Sequence, residues 1–145
     1  MAQPYAVPVD APTGRKSYLG PVRRRTGSCC YRAPMIDFDD FLRVDMRVGR
    51  VVGAEPFPEA RKPSYKLRID FGPEIGQRVS SAQLTVTYPD PVALIGRQVV
   101  GVVNLPPRRI AGFKSEVLVL GAMGDGGEVH LLAPEPAAIE GQRIG

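Results

Sequence analysis

Between residues 65 and 71 apolar and charged positions alternate without a break: Tyr65, Leu67, Ile69 and Phe71 on one side, Lys66, Arg68 and Asp70 on the other. A side-chain period of two sends one set to a core and the other to solvent, so the segment reads as a half-buried antiparallel strand. Valine-, isoleucine- and leucine-rich runs predict further strands at Arg47 to Ala54, Gln77 to Gln83, Arg97 to Leu105 and Glu116 to Ala122, and a last hairpin-like strand at Glu128 to Leu132 follows Gly126-Gly127. The first link carries Pro56, Pro58 and Pro63, Gly72-Pro73 turns the chain, and Leu84 to Ile95 is a longer crossing with room for a helical turn. Asp37 or Asp39 is placed to cap a short helix through Phe41 and Leu42. Three strands, a crossing and two more strands in so short a chain predict the all-β class: a five-stranded OB-fold barrel with short helical and terminal extensions, with a small sandwich as the rival.

The segment from Asn104 to Leu120, NLPPRRIAGFKSEVLVL, leaves one predicted strand and returns to another. Prolines cannot donate to a ladder, which places Pro106 to Gly112 outside the sheet. The loop carries Arg108, Arg109 and Lys114, and the link between the first two strands carries Arg61 and Lys62. In an OB barrel these two links share a rim beside the face of strands two and three, where oligonucleotides bind in this architecture. Arginine forks and lysine ammonium groups there suit phosphate. Ser80, Ser81 and Gln83 are polar in a predicted strand and either contact phosphate, ribose and base edges or cap the next turn. Asn104 either braces the loop or touches RNA, Phe113 either stacks a base or anchors the rim, and Ser115 and Glu116 pin the loop exit, with Glu116 orienting a cation.

Length and charge narrow these readings. At 145 residues the chain suits one domain, expected over residues 35–145. Residues 1–34 mix proline, glycine, serine and arginine without apolar periodicity, the composition of a disordered basic tail. That tail holds Arg15, Lys16, Arg23, Arg24, Arg25 and Arg32 against Asp10, a net +5; the whole chain is +4, so the remainder is −1. Global basicity therefore says nothing of the folded part, and only local clustering supports nucleic-acid binding there. Met35 precedes the first patterned sequence and is a candidate translation start, which mass spectrometry of the native amino terminus would test. Cys29 and Cys30 are adjacent and read as reduced thiols rather than a bridge; His130 stands without partners at metal-ligand spacing. Neither a catalytic set nor a cofactor or metal motif emerges; the absence of a long apolar run argues against membrane insertion, and the tail lacks the apolar core that a secretory or twin-arginine signal needs, so a cytoplasmic protein is expected.

Four segments then resemble a known family: FPEARKPSYKLRIDFG from Phe57, EIGQRVSSAQLT from Glu74, IGRQVVGVVNLPPRRIAGFKSEVLVLG from Ile95 and EVHLLAPEP from Glu128. The sequence is similar to the tRNA-binding domain group and, within it, to the CsaA proteins, with the likeness running from about Phe38 to Ile144. The resemblance implies an OB barrel, a homodimer formed through helical and terminal additions, and a surface for tRNA or structured RNA. It places that surface around Ser80 to Gln83 and the loop from Asn104 to Ser115. It also implies an export-related chaperone that holds unfolded preproteins, for which Phe57, Leu105 and Phe113 are the apolar candidates at the same rim. A purely protein-binding chaperone with no RNA ligand is the alternative.

Overall fold

Alternating patterns in the sequence carry directly into the sheet. The structure, a computed structural model, describes residues 34–145, which divide after Phe41 into two units described separately. The first holds all but the last residue of helix α1 (Phe38–Leu42), which begins where the carbonyl of Asp37 accepts from the amides of Asp40 (3.0 Å) and Phe41 (3.4 Å); the Phe38 and Phe41 ring centroids lie 6.2 Å apart.

In the second unit, β1 (Met46–Pro56), β2 (Tyr65–Asp70) and β3 (Gln77–Ala82) form an antiparallel meander, with one helical turn, α2 (Gly72–Ile75), between β2 and β3. Strand β1 is long and serves two neighbours. Its first half pairs with β4 (Gln98–Val102) and its second half with β2. A register shift between Val51 and Gly53 separates the halves, and such a bulge raises the local twist that lets a sheet curl on itself. The crossing from β3 to β4 contains a 3-10 turn, Pro91–Leu94, started by the Asp90 carboxylate accepting from the Val92 amide at 2.9 Å.

After β4 come β5 (Arg108–Ile110) paired with β6 (Phe113–Ser115), then β7 (Leu118–Val119) back on β4, then a second hairpin of β8 (Gly121–Met123) and β9 (Val129–Leu131). Last, β10 (Arg143–Ile144) lies along Met46 and Arg47 of β1. The order β3-β2-β1-β4-β7 is closed between its ends: the Glu116 amide donates to Val79 O at 2.8 Å and the Ser80 hydroxyl to Val117 O at 2.9 Å. This is a nearly closed five-stranded barrel of the OB type. Leu67, Ile69, Phe71, Leu84, Leu94 and Val99 fill it with at most 1% of their surface exposed, each contributing about 1.5–3 kcal/mol of burial energy.

Three details depart from the sequence expectation. The expected strand from Glu116 to Ala122 is two strands, because at Leu120 the chain leaves the barrel: its amide donates to Val100 O while its carbonyl accepts from Leu132. The strand expected to reach Leu105 stops at Val102, since the Asn104 carboxamide turns back, accepting from the Asp45 amide at 2.9 Å and donating to Arg43 O at 2.6 Å. The proline-rich end is a strand at Arg143–Ile144 as well as a tail. The expected basic tail, apart from Pro34, and the Cys29-Cys30 pair lie outside the described residues.

Candidate nucleic-acid interface

The double-proline loop is a β-hairpin. Pro106 and Pro107 follow the end of β4 at Val102 and lead into the hairpin, in which Arg108, Arg109 and Ile110 pair with Ser115, Lys114 and Phe113 around a turn of Ala111 and Gly112. Both turn residues have positive φ, 45° and 84°, the geometry of the type I′ turn whose twist matches that of the flanking strands. Strand alternation separates the two arginines. Arg108 shares a face with Ile110, Phe113 and Ser115, whereas Arg109 stands directly across from Lys114 on the other face. Like charges placed opposite one another destabilise a strand pair, so that side of the hairpin favours a bound anion.

The link between β1 and β2 folds tightly beside it. The Phe57 amide donates to Ser64 O (2.9 Å), the Ala60 amide to Phe57 O (3.2 Å) and the Ser64 hydroxyl to Lys62 O (2.8 Å), which leaves Arg61 and Lys62 exposed on the outside of the loop. Phe57 points inward and is 3% exposed. Its ring meets that of Phe113 edge-on, centroids 5.4 Å apart at 63°, so the two links expected at one rim are in direct contact. Lys66 of β2 lies over the same cluster, its ammonium 4.4 Å from the Phe57 ring centre, 5.8 Å from that of Phe113 and 3.4 Å from the Glu59 carboxylate. The Glu59 carboxyl is held below its ordinary range first by its own backbone amide and then by Lys66.

Along β3 the polar residues divide between two tasks. Ser80 is 1% exposed and closes the barrel through Val117, which removes its hydroxyl from any surface. Ser115 accepts from the Ser81 amide at 3.1 Å and so ties the hairpin's exit to β3. Gln83 is exposed and Ser81 half-buried, so both remain within reach of a ligand. Glu116 meets Lys114 at 3.1 Å; that bond, the Val79 amide and the charges of Lys114 and Arg78 hold its carboxyl below the ordinary carboxylate range against the effect of burial. Asn104 is the brace of the hairpin's entry, through Asp45 and Arg43. Leu105 is 43% exposed and Phe113 half-buried.

Among the described residues, Arg61, Lys62, Arg108 and Arg109 form no ion pair, and the two pairs that Lys66 and Lys114 do form are partly open to solvent, which screens and weakens them. Pairs that weak exchange readily for phosphate. Sequence reasoning missed Lys66 as a rim residue. Alternation placed it on the outer face of β2, but only the fold shows that this face runs into the two aromatic rings. A separate concavity of about 420 Å³, lined by Arg50, Val52, Asp70, Gly72, Pro73, Ile139 and Glu140, differs in kind: its arginine is already bonded to Glu140 (2.5 Å) and to Gly96 O (2.8 Å). Among the described residues no group of three or more His, Cys, Asp or Glu is placed to hold a metal ion, and no helix is long and apolar enough to cross a membrane.

An OB-type barrel whose two rim loops meet at a cluster of exposed cations defines a binding module of the oligonucleotide-recognition class. The match to known sequences narrows this, for residues 46–143 fit the family described as "Putative tRNA binding domain". The chaperone CsaA of Bacillus anthracis is 53% identical, with a TM-score of 0.73 over 77% of this chain and 100% of its own; CsaA of Picrophilus torridus is 46% identical at 0.71 with the same coverage. A MetRS-related protein of Pyrococcus horikoshii is 30% identical at 0.69, covering 77% of this chain and 99% of its own. The chain belongs to the tRNA-binding domain family, in its CsaA-like branch.

Proposed function

We propose that the rim binds tRNA through backbone phosphate and ribose, with Arg61, Lys62, Arg108, Arg109 and Lys114 as the phosphate contacts and Ser81 and Gln83 as polar neighbours. In this reading Ser80, Asn104 and Ser115 shape the site rather than touch RNA. The observation that carries it is the Phe57–Phe113 contact, which joins two loops that each present a pair of cations without ion-pair partners among the described residues. Phosphate contacts fix register and orientation, so such a surface selects RNA by shape more than by base sequence. The protein acts by binding and not by catalysis, as a cytoplasmic homodimer and an export-related chaperone. Membership of the CsaA-like branch supports this reading.

Leu105, at 43% exposure, favours the second reading, in which the rim holds unfolded preproteins; burial of Phe57 and partial burial of Phe113 limit the apolar area available for that. Titration of labelled tRNA and of an unfolded preprotein at rising salt separates the two. RNA affinity that falls steeply while peptide affinity holds supports the RNA reading; RNA affinity flat in salt overturns it. Sedimentation at the monomer mass would overturn the homodimer.

A further inference from the structure

Strand β2 presents Lys66, Arg68 and Asp70 on its outer face, with Ser81, Val79 and Gln77 of β3 beside them. Lys66 is engaged by Glu59 and the two rings, and the Asp70 carboxylate accepts from the Gly72 amide at 2.9 Å. Arg68 differs from both: it is exposed, and among the described residues it makes no hydrogen bond or ion pair.

Its guanidinium has a close neighbour. Across the strand pair Arg68 faces Gly53, at the register shift of β1, and the guanidinium lies close over that glycine. A Cβ at position 53 would stand 3.0 Å from a terminal nitrogen, 3.4 Å from Cζ and 3.5 Å from Nε. A side chain at position 53 would crowd the fork where it now lies, and among the described residues the fork's donors have no acceptor. Its planar fork matches a phosphate's paired oxygens.

Position matters as much as shape. Lys66, two residues earlier on the same face, touches the cluster that joins both rim loops, so Arg68 lies about 7 Å further along a continuous surface. Arg108 shares the Phe113 face of the hairpin, and the Phe113 ring centre lies 5.8 Å from the Lys66 ammonium.

We propose that Arg68, seated over Gly53, is a further phosphodiester contact that carries the RNA interface from the loop rim across the outer face of β2. The inference rests on the RNA reading of the rim.

The test measures tRNA affinity against salt for the full chain, for Arg68→Gln, for Gly53→Val and for the two combined, with Arg108→Gln/Arg109→Gln alongside. Arg68→Gln lowers affinity about tenfold at physiological salt and reduces the slope of log K on log salt by about one. Gly53→Val removes no charge but displaces the fork, produces a similar loss, and adds little to Arg68→Gln. If Gly53→Val fails to fold, Gly53→Ala introduces the same Cβ and serves in its place. An unchanged slope in Arg68→Gln, or losses that multiply in the combined variant, overturns the proposal. If the Arg108/Arg109 variant loses binding while Arg68→Gln does not, Arg68 falls and the rim stands; if neither loses binding, both fall.

Discussion

The ring of Phe113 stands edge-on against that of Phe57, 5.4 Å between centroids, and this one contact fixes the hairpin of β5 and β6 to the link between β1 and β2. Everything assigned to the rim depends on it, because the cations lie on either side: Arg61 and Lys62 follow Phe57, and Arg108 and Arg109 precede Phe113.

Loss of either ring should therefore loosen the rim, but unequally. Phe57→Ala removes a buried side chain and costs about 3–5 kcal/mol. Phe113→Ala costs about 1–2 kcal/mol, the scale of an edge-to-face pair with partial burial. Because both delete the same contact, the double variant falls short of the sum in urea denaturation.

Ala111 holds φ at 45°, a left-handed conformation that a residue with a Cβ adopts at a cost of about 1 kcal/mol. Asparagine tolerates it better and is preferred before glycine in a type I′ turn. Ala111→Asn raises the stability of the hairpin by about 0.5–1 kcal/mol, read as slower amide exchange at Phe113; Ala111→Pro, which forces φ to about −65°, abolishes that protection.

Ser80 is a closing bond of the barrel, not a surface group. Replacing it with alanine leaves the Val117 carbonyl with only the longer bond from the Ser115 hydroxyl, 3.4 Å, and costs about 1 kcal/mol. Folded Ser80→Ala binds tRNA as tightly as the parent; weaker binding by fully folded protein would return Ser80 to the contact set.

Glu116 is held below its ordinary value of 4.5, first by the bond from Lys114, then by the Val79 amide and the charges of Lys114 and Arg78. Its folded form releases a proton more readily than the unfolded chain does. The stabilisation is therefore complete above the unfolded value and disappears as pH falls through the lower folded one. Glu116→Gln lowers stability at pH about 7 and flattens its decline below pH about 5, checked by denaturation at both ends of that range; parallel curves for the two proteins would contradict this role.

Much of the barrel is legible in the sequence because its strands alternate cleanly, Tyr65 to Phe71 above all, and because the order of strands and crossing admits few closures. The hairpin is not. Pro106-Pro107 and Arg108-Arg109 break the apolar pattern, and Ala111-Gly112 lacks the asparagine or aspartate that marks a type I′ turn. A loop inferred from proline alone thus conceals that its arginines point to opposite faces. Strand β10 is two residues long and carries no periodic signal. The roles of Phe57 and Ser80 depend on partners distant in the chain, Phe113 and Val117, which local pattern cannot supply. Arg68 reads as one more charged residue until Gly53 is seen beneath it.

That two loops form one electrostatic interface is tested most directly by the salt dependence of tRNA binding in the parent, in Arg61→Gln/Lys62→Gln, in Arg108→Gln/Arg109→Gln and in the variant with all four changes. Each pair lowers the slope of log K on log salt by about two, and all four together by about four. A slope that stays at the parent value when all four cations are gone would contradict the account.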